Sequence, residues 1–266
     1  MIDIKTHLNN IKIKGYTLLP GELDTNTVKN LKEKILYIKK NFSNPNIKTI
    51  PRLNLKSDIV YNPEQKDRIF SKVVFGNSNL RKILTHFLND KYYNKIPKDK
   101  PNYILRAMIA RSSSNSDLPL HIDSFIPTPG KNVFVMQTLI SLDEQNIENG
   151  CTVIVPNSHY SDNYAPQNEF KNAIPIVSKP GDILVWDSRI WHGALSNKSS
   201  NSRWSLICTF TRWWIKQNYK ITETLPKEIY DDMNEIEKSI MGYCSVPPKN
   251  EFERIDIKSG YDVLKK

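Results

Sequence analysis

Leu120-His121-Ile122-Asp123-Ser124 is the stretch around which the rest of the chain falls into place. In an extended segment the side chains alternate, so His121 and Asp123 share one face and Ile122 takes the other. An imidazole and a carboxylate then converge on one point. Two protein ligands rarely make a metal site, and only five histidines are present to supply a third. His192 is the best placed. It lies beyond the apolar run Ile183 to Trp186 and just past Asp187-Ser188-Arg189, where a strand bends back toward the first. Two histidines and one carboxylate on one side of a metal leave the other side open, which suits non-haem Fe(II); zinc fits the same ligands less distinctively. His159, in Pro156-Asn157-Ser158-His159, is the competing third ligand, set against a hydrogen-bonded structural role in that turn.

Arg203 follows His192 by eleven residues and opens Arg203-Trp204-Ser205-Leu206-Ile207-Cys208-Thr209-Phe210, a segment rich in aromatic and β-branched residues that reads as a strand. Arg203 and Ser205 share a face, a guanidinium fork beside a hydroxyl, and that pair is suited to holding a carboxylate. Arg106 and Arg111, on the strand leading into the metal segment, are candidates for an acidic group on a substrate. Trp191, beside His192, is a candidate pocket wall, whereas the other tryptophans read as core and rim aromatics.

With these residues in view, the sequence resembles the phytanoyl-CoA dioxygenase-like family of Fe(II)/2-oxoglutarate-dependent oxygenases. The resemblance rests on His121-Ile122-Asp123, Glu148-Asn149-Gly150, Val155-Pro156-Asn157-Ser158-His159, Gly181-Asp182, Trp186-Asp187-Ser188, His192, Asn197, Ser199 and Arg203, with Gly15-Tyr16-Thr17-Leu18-Leu19-Pro20-Gly21 as an opening strand. It departs from the family pattern at Asn157, where glycine is commoner; asparagine tolerates the same left-handed backbone. The resemblance implies a double-stranded β-helix, a cupin-like jelly roll with flanking helices. It also implies His192 rather than His159 as third ligand, and Arg203 with Ser205 and Gln137 as contacts of 2-oxoglutarate. Because position 123 is acidic rather than the small residue of family halogenases, it implies hydroxylation by Fe(II), 2-oxoglutarate and O2, with ascorbate as a reductant. The expected substrate is a small molecule or a lipid-linked one. Desaturation or cyclisation on the same machinery, and a non-catalytic barrel binding a metal and a carboxylate, are the alternatives.

The 266 residues are expected to form one domain: a helical cover over about residues 1–100, a catalytic barrel over about 101–215, and a C-terminal helix and tail over 216–266. No apolar stretch reaches bilayer length, the N-terminus lacks the layout of a secretory signal, and three scattered cysteines support neither a disulfide framework nor a zinc knuckle. A cytoplasmic protein is the expectation. The net charge of +10 invites a nucleic-acid reading, but the lysines are dispersed and no recognition motif accompanies them, so no nucleic-acid partner is expected. Oligomeric state is left open.

Periodicity predicts a strand over 13–20 and a helix carrying Val28, Leu31, Ile35 and Ile38 after the cap candidates Thr25-Asn26-Thr27. It predicts a second helix through Leu80, Ile83, Leu84, Phe87 and Leu88, with His86 as a bystander. Residues 41–65 read as loop with short extended pieces, and 91–101 as a hinge into the barrel. Strands are expected at 103–110, 120–124, 133–142, 152–155, 174–177, 182–186 and 204–212. Ser112 to Asp117 is expected to be a movable loop, and Ile229, Met233, Ile236 and Ile240 one face of a single late helix between Pro226 and Gly242.

Overall fold

The structure, a computed structural model, describes residues 3–42, 58–166, 170–252, 260, 261 and 264. In chain order its strands are β1 (Tyr16–Leu19), β2 (Ile59–Tyr61), β3 (Tyr103–Ser112), β4 (Leu118–His121), β5 (Val135–Ser141), β6 (Thr152–Ile154), β7 (Ile174–Pro175), β8 (Ile183–Asp187), β9 (His192–Ala194) and β10 (Trp204–Arg212). The helices are α1 (Ile4–Lys14), α2 (Thr25–Phe42), α3 (Arg68–Gly76), α4 (Ser78–Leu88), α5 (Ile221–Thr224), α6 (Lys227–Asp231) and α7 (Glu235–Ile240). A six-stranded sheet runs β1-β8-β5-β10-β3-β2 and a four-stranded sheet runs β4-β9-β6-β7. The paired strands are antiparallel. Leu139, Leu184 and Trp186 of the large sheet pack with Ile154 of the small one, closing the two layers into a jelly roll.

Alternation along β10 shows how sequence builds these layers. Leu206, Cys208 and Phe210 point away from the small sheet into a core shared with the helices, while Ser205, Ile207 and Thr209 line a cavity between the sheets. The helices complete that core. Val28, Leu31, Ile35 and Ile38 are the buried stripe of α2, and Leu80, Ile83, Leu84 and Leu88 that of α4. The α2 start is bonded by Asp24 rather than by the threonines, its Oδ1 accepting from the Thr27 amide at 2.9 Å.

Several expectations are corrected. The predicted strand over 13–20 begins only at Tyr16, because α1 runs through Lys14 and ends on Gly15, whose φ of 87° supplies the left-handed cap. α1 carries little apolar periodicity, burying only Ile11, and so left no signal. The segment 91–101 is no hinge: Tyr93 stacks on Trp213 with ring centroids 4.2 Å apart, and Tyr93 and Ile96 are buried with Cys244. The late helix is two, α6 and α7, because Asn234 and Glu237 form a reciprocal capping box that starts a new helix after Met233. Ser113 and Ser114 are bonded to Arg203 and Asn197, which ties the 112–117 loop to the chain before β10. Of the expected loop over 41–65, residues 43–57 lie outside the described residues, and β2 occupies 59–61.

Candidate active site

His121 ends β4 and His192 begins β9, and the two are direct partners across that strand pair. Antiparallel pairing therefore brings their rings side by side, tilted at 47° with centroids 4.3 Å apart. Asp123 is not in the strand, as its spacing suggested, but in the bend that follows. There its amide, at 2.8 Å, and that of Ser124, at 3.1 Å, both donate to the Ser188 carbonyl. That carbonyl belongs to a turn braced from within. The Arg189 guanidinium is paired with the buried Asp187 carboxylate at 2.6 Å and also donates to the carbonyls of Thr128 and Gly130, beyond Asp123. One buried ion pair thus positions both sides of the ligand loop.

The Asp123 carboxylate reaches His192 Nε2 at 3.1 Å and His121 Nε2 at 3.6 Å, and the ligand atoms of all three residues lie within 4.8 Å of one another. Each imidazole is held from behind: His121 Nδ1 donates to the Pro119 carbonyl at 2.9 Å and His192 Nδ1 to that of Ile190 at 3.1 Å. With Nδ1 carrying the proton, each Nε2 turns a lone pair toward the carboxylate, the arrangement that a metal-binding histidine requires. Burial alone would push the Asp123 carboxyl up, but His192 and His121 together hold it well below the usual carboxylate range. Burial likewise pulls the His121 imidazole down, and Asp123 more than offsets it, so its pKa stands above the ordinary value. The cluster attracts positive charge to its centre, and its donor set fits a divalent cation.

These residues sit at a cavity of about 400 Å³ between the sheets. Of the nine residues singled out in the sequence, His121, Asp123, His192, Arg203, Ser205, Gln137, Arg106 and Arg111 line it. Trp191 does not. Its side chain packs with Leu120, Val153 and Ala165 behind the small sheet, and its indole N–H donates to the Asn163 carbonyl at 3.2 Å, because β9 alternation sends the neighbour of His192 to the opposite face. His159 is likewise remote from the cluster, buried in its turn with Nε2 against the Lys12 carbonyl.

Arg203 is 8% exposed, and its guanidinium is bound by neutral acceptors: the carbonyls of Asn149 and Gly150, the Gln145 Oε1 at 3.2 Å and the Ser205 hydroxyl at 3.0 Å. Its nearest acidic neighbours are the Cys151 thiol and Asp143, and Asp143 is already paired with Lys32. Burial pushes Arg203 down to about 10, with Arg111 acting the same way and Cys151 and Asp143 opposing. A buried cation with no carboxylate partner among the described residues is suited to binding an anion. Ser205 Oγ accepts from both Arg203 and Gln145 Nε2, which frees its own hydroxyl hydrogen for the same anion. Gln145 was not legible in the sequence. It lies in the polar run Asp143-Glu144-Gln145-Asn146, yet is 1% exposed and orients both Arg203 and Ser205. Gln137 accepts from Thr209 Oγ1 at 2.7 Å, leaving its amide N–H groups toward the cavity.

A jelly roll with two histidines and one carboxylate clustered at its inter-sheet cavity, beside a buried unpaired arginine, defines a class of protein. The phytanoyl-CoA dioxygenase family profile matches residues 12–205, and the chain belongs to that family. Among curated relatives, a dioxygenase of Talaromyces verruculosus, cdmD, is 29% identical over 122 residues, covering 44% of this chain and 38% of that protein. The chain thus spans well under two thirds of the length of such relatives. Among solved structures, HygX from Streptomyces hygroscopicus with nickel and 2-oxoglutarate bound superposes with a TM-score of 0.63 at 14% identity, covering 80% of this chain and 88% of that one. The epimerase SnoN from nogalamycin biosynthesis, in complex with Fe3+, α-ketoglutarate and nogalamycin RO, gives 0.62 at 14% identity, covering 83% and 88%. At such identities the likeness is one of fold.

Proposed function

We propose that this protein is a non-haem Fe(II)/2-oxoglutarate-dependent dioxygenase that hydroxylates an unactivated C–H bond of a small-molecule or lipid-linked substrate. The observation that carries the reading is the pairing, in one cavity, of the His121-Asp123-His192 cluster with the uncompensated Arg203. His121, Asp123 and His192 would hold the iron. Arg203 and the Ser205 hydroxyl would bind the distal carboxylate of 2-oxoglutarate, with Gln145 fixing both, while Gln137, two rungs further along the cavity, would face the opposite end of the co-substrate, where it meets the substrate. Bound there, iron with 2-oxoglutarate and O2 supplies the oxidising equivalents that turn C–H into C–OH, with release of succinate and CO2. The protein's share is orientation. The Pro119 and Ile190 carbonyls hold each imidazole through Nδ1 so that Nε2 is the atom presented to the metal, the Asp187–Arg189 turn holds Asp123 in place, and Leu139, Ile207 and Ile109 give the cavity an apolar floor.

The test is succinate release from 2-oxoglutarate under air with Fe(II) and ascorbate, in the presence of pooled metabolites. Wild type is expected to produce substrate-stimulated succinate, and Asp123→Ala and Arg203→Ala to lose it. No succinate from any pool, together with no 2-oxoglutarate-dependent absorbance from the anaerobic Fe(II) protein, favours instead a barrel that binds metal and carboxylate without turnover. The same fold is found in an epimerase and a carbocyclase of nogalamycin biosynthesis. Product mass separates the outcomes: gain of one oxygen atom for hydroxylation, loss of two hydrogens for desaturation or ring closure.

A further inference from the structure

Arg106 occupies a position that regular alternation would deny it. On β3, Met108 and Ala110 belong to the core and Ala107, Ile109 and Arg111 to the cavity, so unbroken alternation would put Arg106 in the core with Met108. The pairing with β10 slips instead. Thr209 faces Ala107 and Phe210 faces Leu105, which leaves Arg106 without a partner in a β-bulge. A bulge turns two consecutive side chains to one face, and here both Arg106 and Ala107 face the cavity. The bulge is pinned from the other side, since the Arg106 carbonyl accepts from the Asn218 amide at 3.0 Å and Asn218 lines the same cavity.

The guanidinium so delivered has nothing to bind. Its Nε is shielded from solvent and makes no hydrogen bond, and among the described residues no carboxylate pairs with it. The nearest carboxylate, Asp123, has one oxygen facing each histidine. A single contact holds the group: it lies 4.5 Å from the ring centroid of Phe125. Phe125 adopts φ 68°, a left-handed backbone that a bulky side chain rarely takes, two residues after the ligand Asp123. A strained, exposed aromatic thus covers one face of a half-buried cation.

The register then separates two cationic ends. Ser205 and Arg111 stand on one cross-strand rung; Leu139, Ile207 and Ile109 form the next; Gln137, Thr209 and Ala107, with bulged Arg106, form the third. Four residues along β10 amount to about 13 Å. The first rung, with Arg203, is the co-substrate end in the function proposed above, on which this inference rests. From the third rung we infer that the substrate is an amphipathic anion. Its carboxylate or phosphate is anchored by Arg106, its apolar skeleton lies over the middle rung, and the reacting carbon is presented beneath His121, Asp123 and His192. Arg106 is accordingly a specificity-determining residue that touches substrate, distinct from the arginine that serves the co-substrate.

The test uses the full chain loaded with Ni(II) and 2-oxoglutarate, whose chelate absorbance reports an assembled site. Three ligand pools built on shared carbon skeletons are offered: free carboxylic acids, phosphate monoesters and neutral methyl esters. Retained compounds are identified by mass after ultrafiltration. Retention is expected from one of the two anionic pools, which tells carboxylate from phosphate, and not from the esters. Arg106→Gln is expected to weaken that retention by roughly 30-fold or more. Arg106→Lys, which keeps the charge but not the fork, should fall between. Ester retention equal to that of the anions, no anion retained by a protein that forms the chelate, or a loss in Arg106→Gln that falls equally on 2-oxoglutarate would each overturn the assignment. A wild-type protein that forms no chelate would instead sink the oxygenase reading itself.

Discussion

Glu64 is the least comfortable residue in the molecule: it has no solvent exposure, and neither carboxylate oxygen makes a hydrogen bond of good geometry. Burial pushes its carboxyl up to about 7, and the local backbone, Lys66 and the Gln65 side chain oppose the shift without cancelling it. The unfolded chain ionises near the ordinary value of 4.5, so between 4.5 and about 7 folding takes up a proton. Stability is therefore lost as pH rises through that window, by about 3 kcal/mol in all, and is level above it. Glu64→Gln should show no such slope. Urea unfolding at about pH 5 and about pH 8 should find the variant gaining on wild type by that order between the two; an unchanged gap would mean that Glu64 is ionised in the native protein. Legibility at this scale followed chemistry rather than burial. His121, Asp123, His192 and Arg203 stood out because their types and order are unusual on strands. Glu64 and Gln145 sit in runs as polar as any surface loop, and only the fold reveals that they are buried.

Among the elements, β9 does the most with the least. Its three residues, His192, Gly193 and Ala194, join β4 to β6 and bring His192 opposite His121. Gly193 has an ordinary backbone, and its importance is proximity. A Cβ there would lie 2.4 Å from the Leu118 carbonyl oxygen and 3.1 Å from the Phe170 ring. Gly193→Ala must push β9 away from β4, separating the two imidazoles. Such overpacking costs typically about 1–3 kcal/mol, and the strain falls on the ligand pair. Thermal unfolding with and without Ni(II) should therefore show a lower Tm without metal and a smaller metal-induced rise than in wild type. A full metal-induced rise in the variant would show that the strands can part without disturbing the cluster. β9 was invisible in the sequence because three residues carry no alternation, whereas α2, α4 and β10 were legible because each sustains its period over many residues. The split between α6 and α7 was hidden for the opposite reason: Ile229, Met233 and Ile240 keep a helical spacing across the break and share the same core.

At the scale of the whole molecule, the two-sheet architecture was legible from the number of strands and turns, but the dependence of its parts on one another was not. The buried face of the large sheet, Met108, Met136, Val185 and Phe210 among it, is covered by Ile11, Leu31, Phe70 and Ile83 from α1 to α4 and by Ile240 and Met241 at the other end of the chain. We propose on that ground that the helical cover, the barrel and the late helices fold as one domain. The apolar side chains of the cover are buried in this shared core. The five tryptophans make the proposal testable, since all lie between Trp186 and Trp214, in the barrel and its edge, while the long helices lie before Tyr103. Tryptophan fluorescence therefore follows the barrel, and helical ellipticity chiefly follows the cover. If the layers share one core, removing the helices exposes the sheet face they bury, and the two signals must fall together in urea, with one midpoint and one slope. Ellipticity lost at lower urea than fluorescence would make the cover a separate cooperative unit, and the large sheet would have to be stable with that face in water.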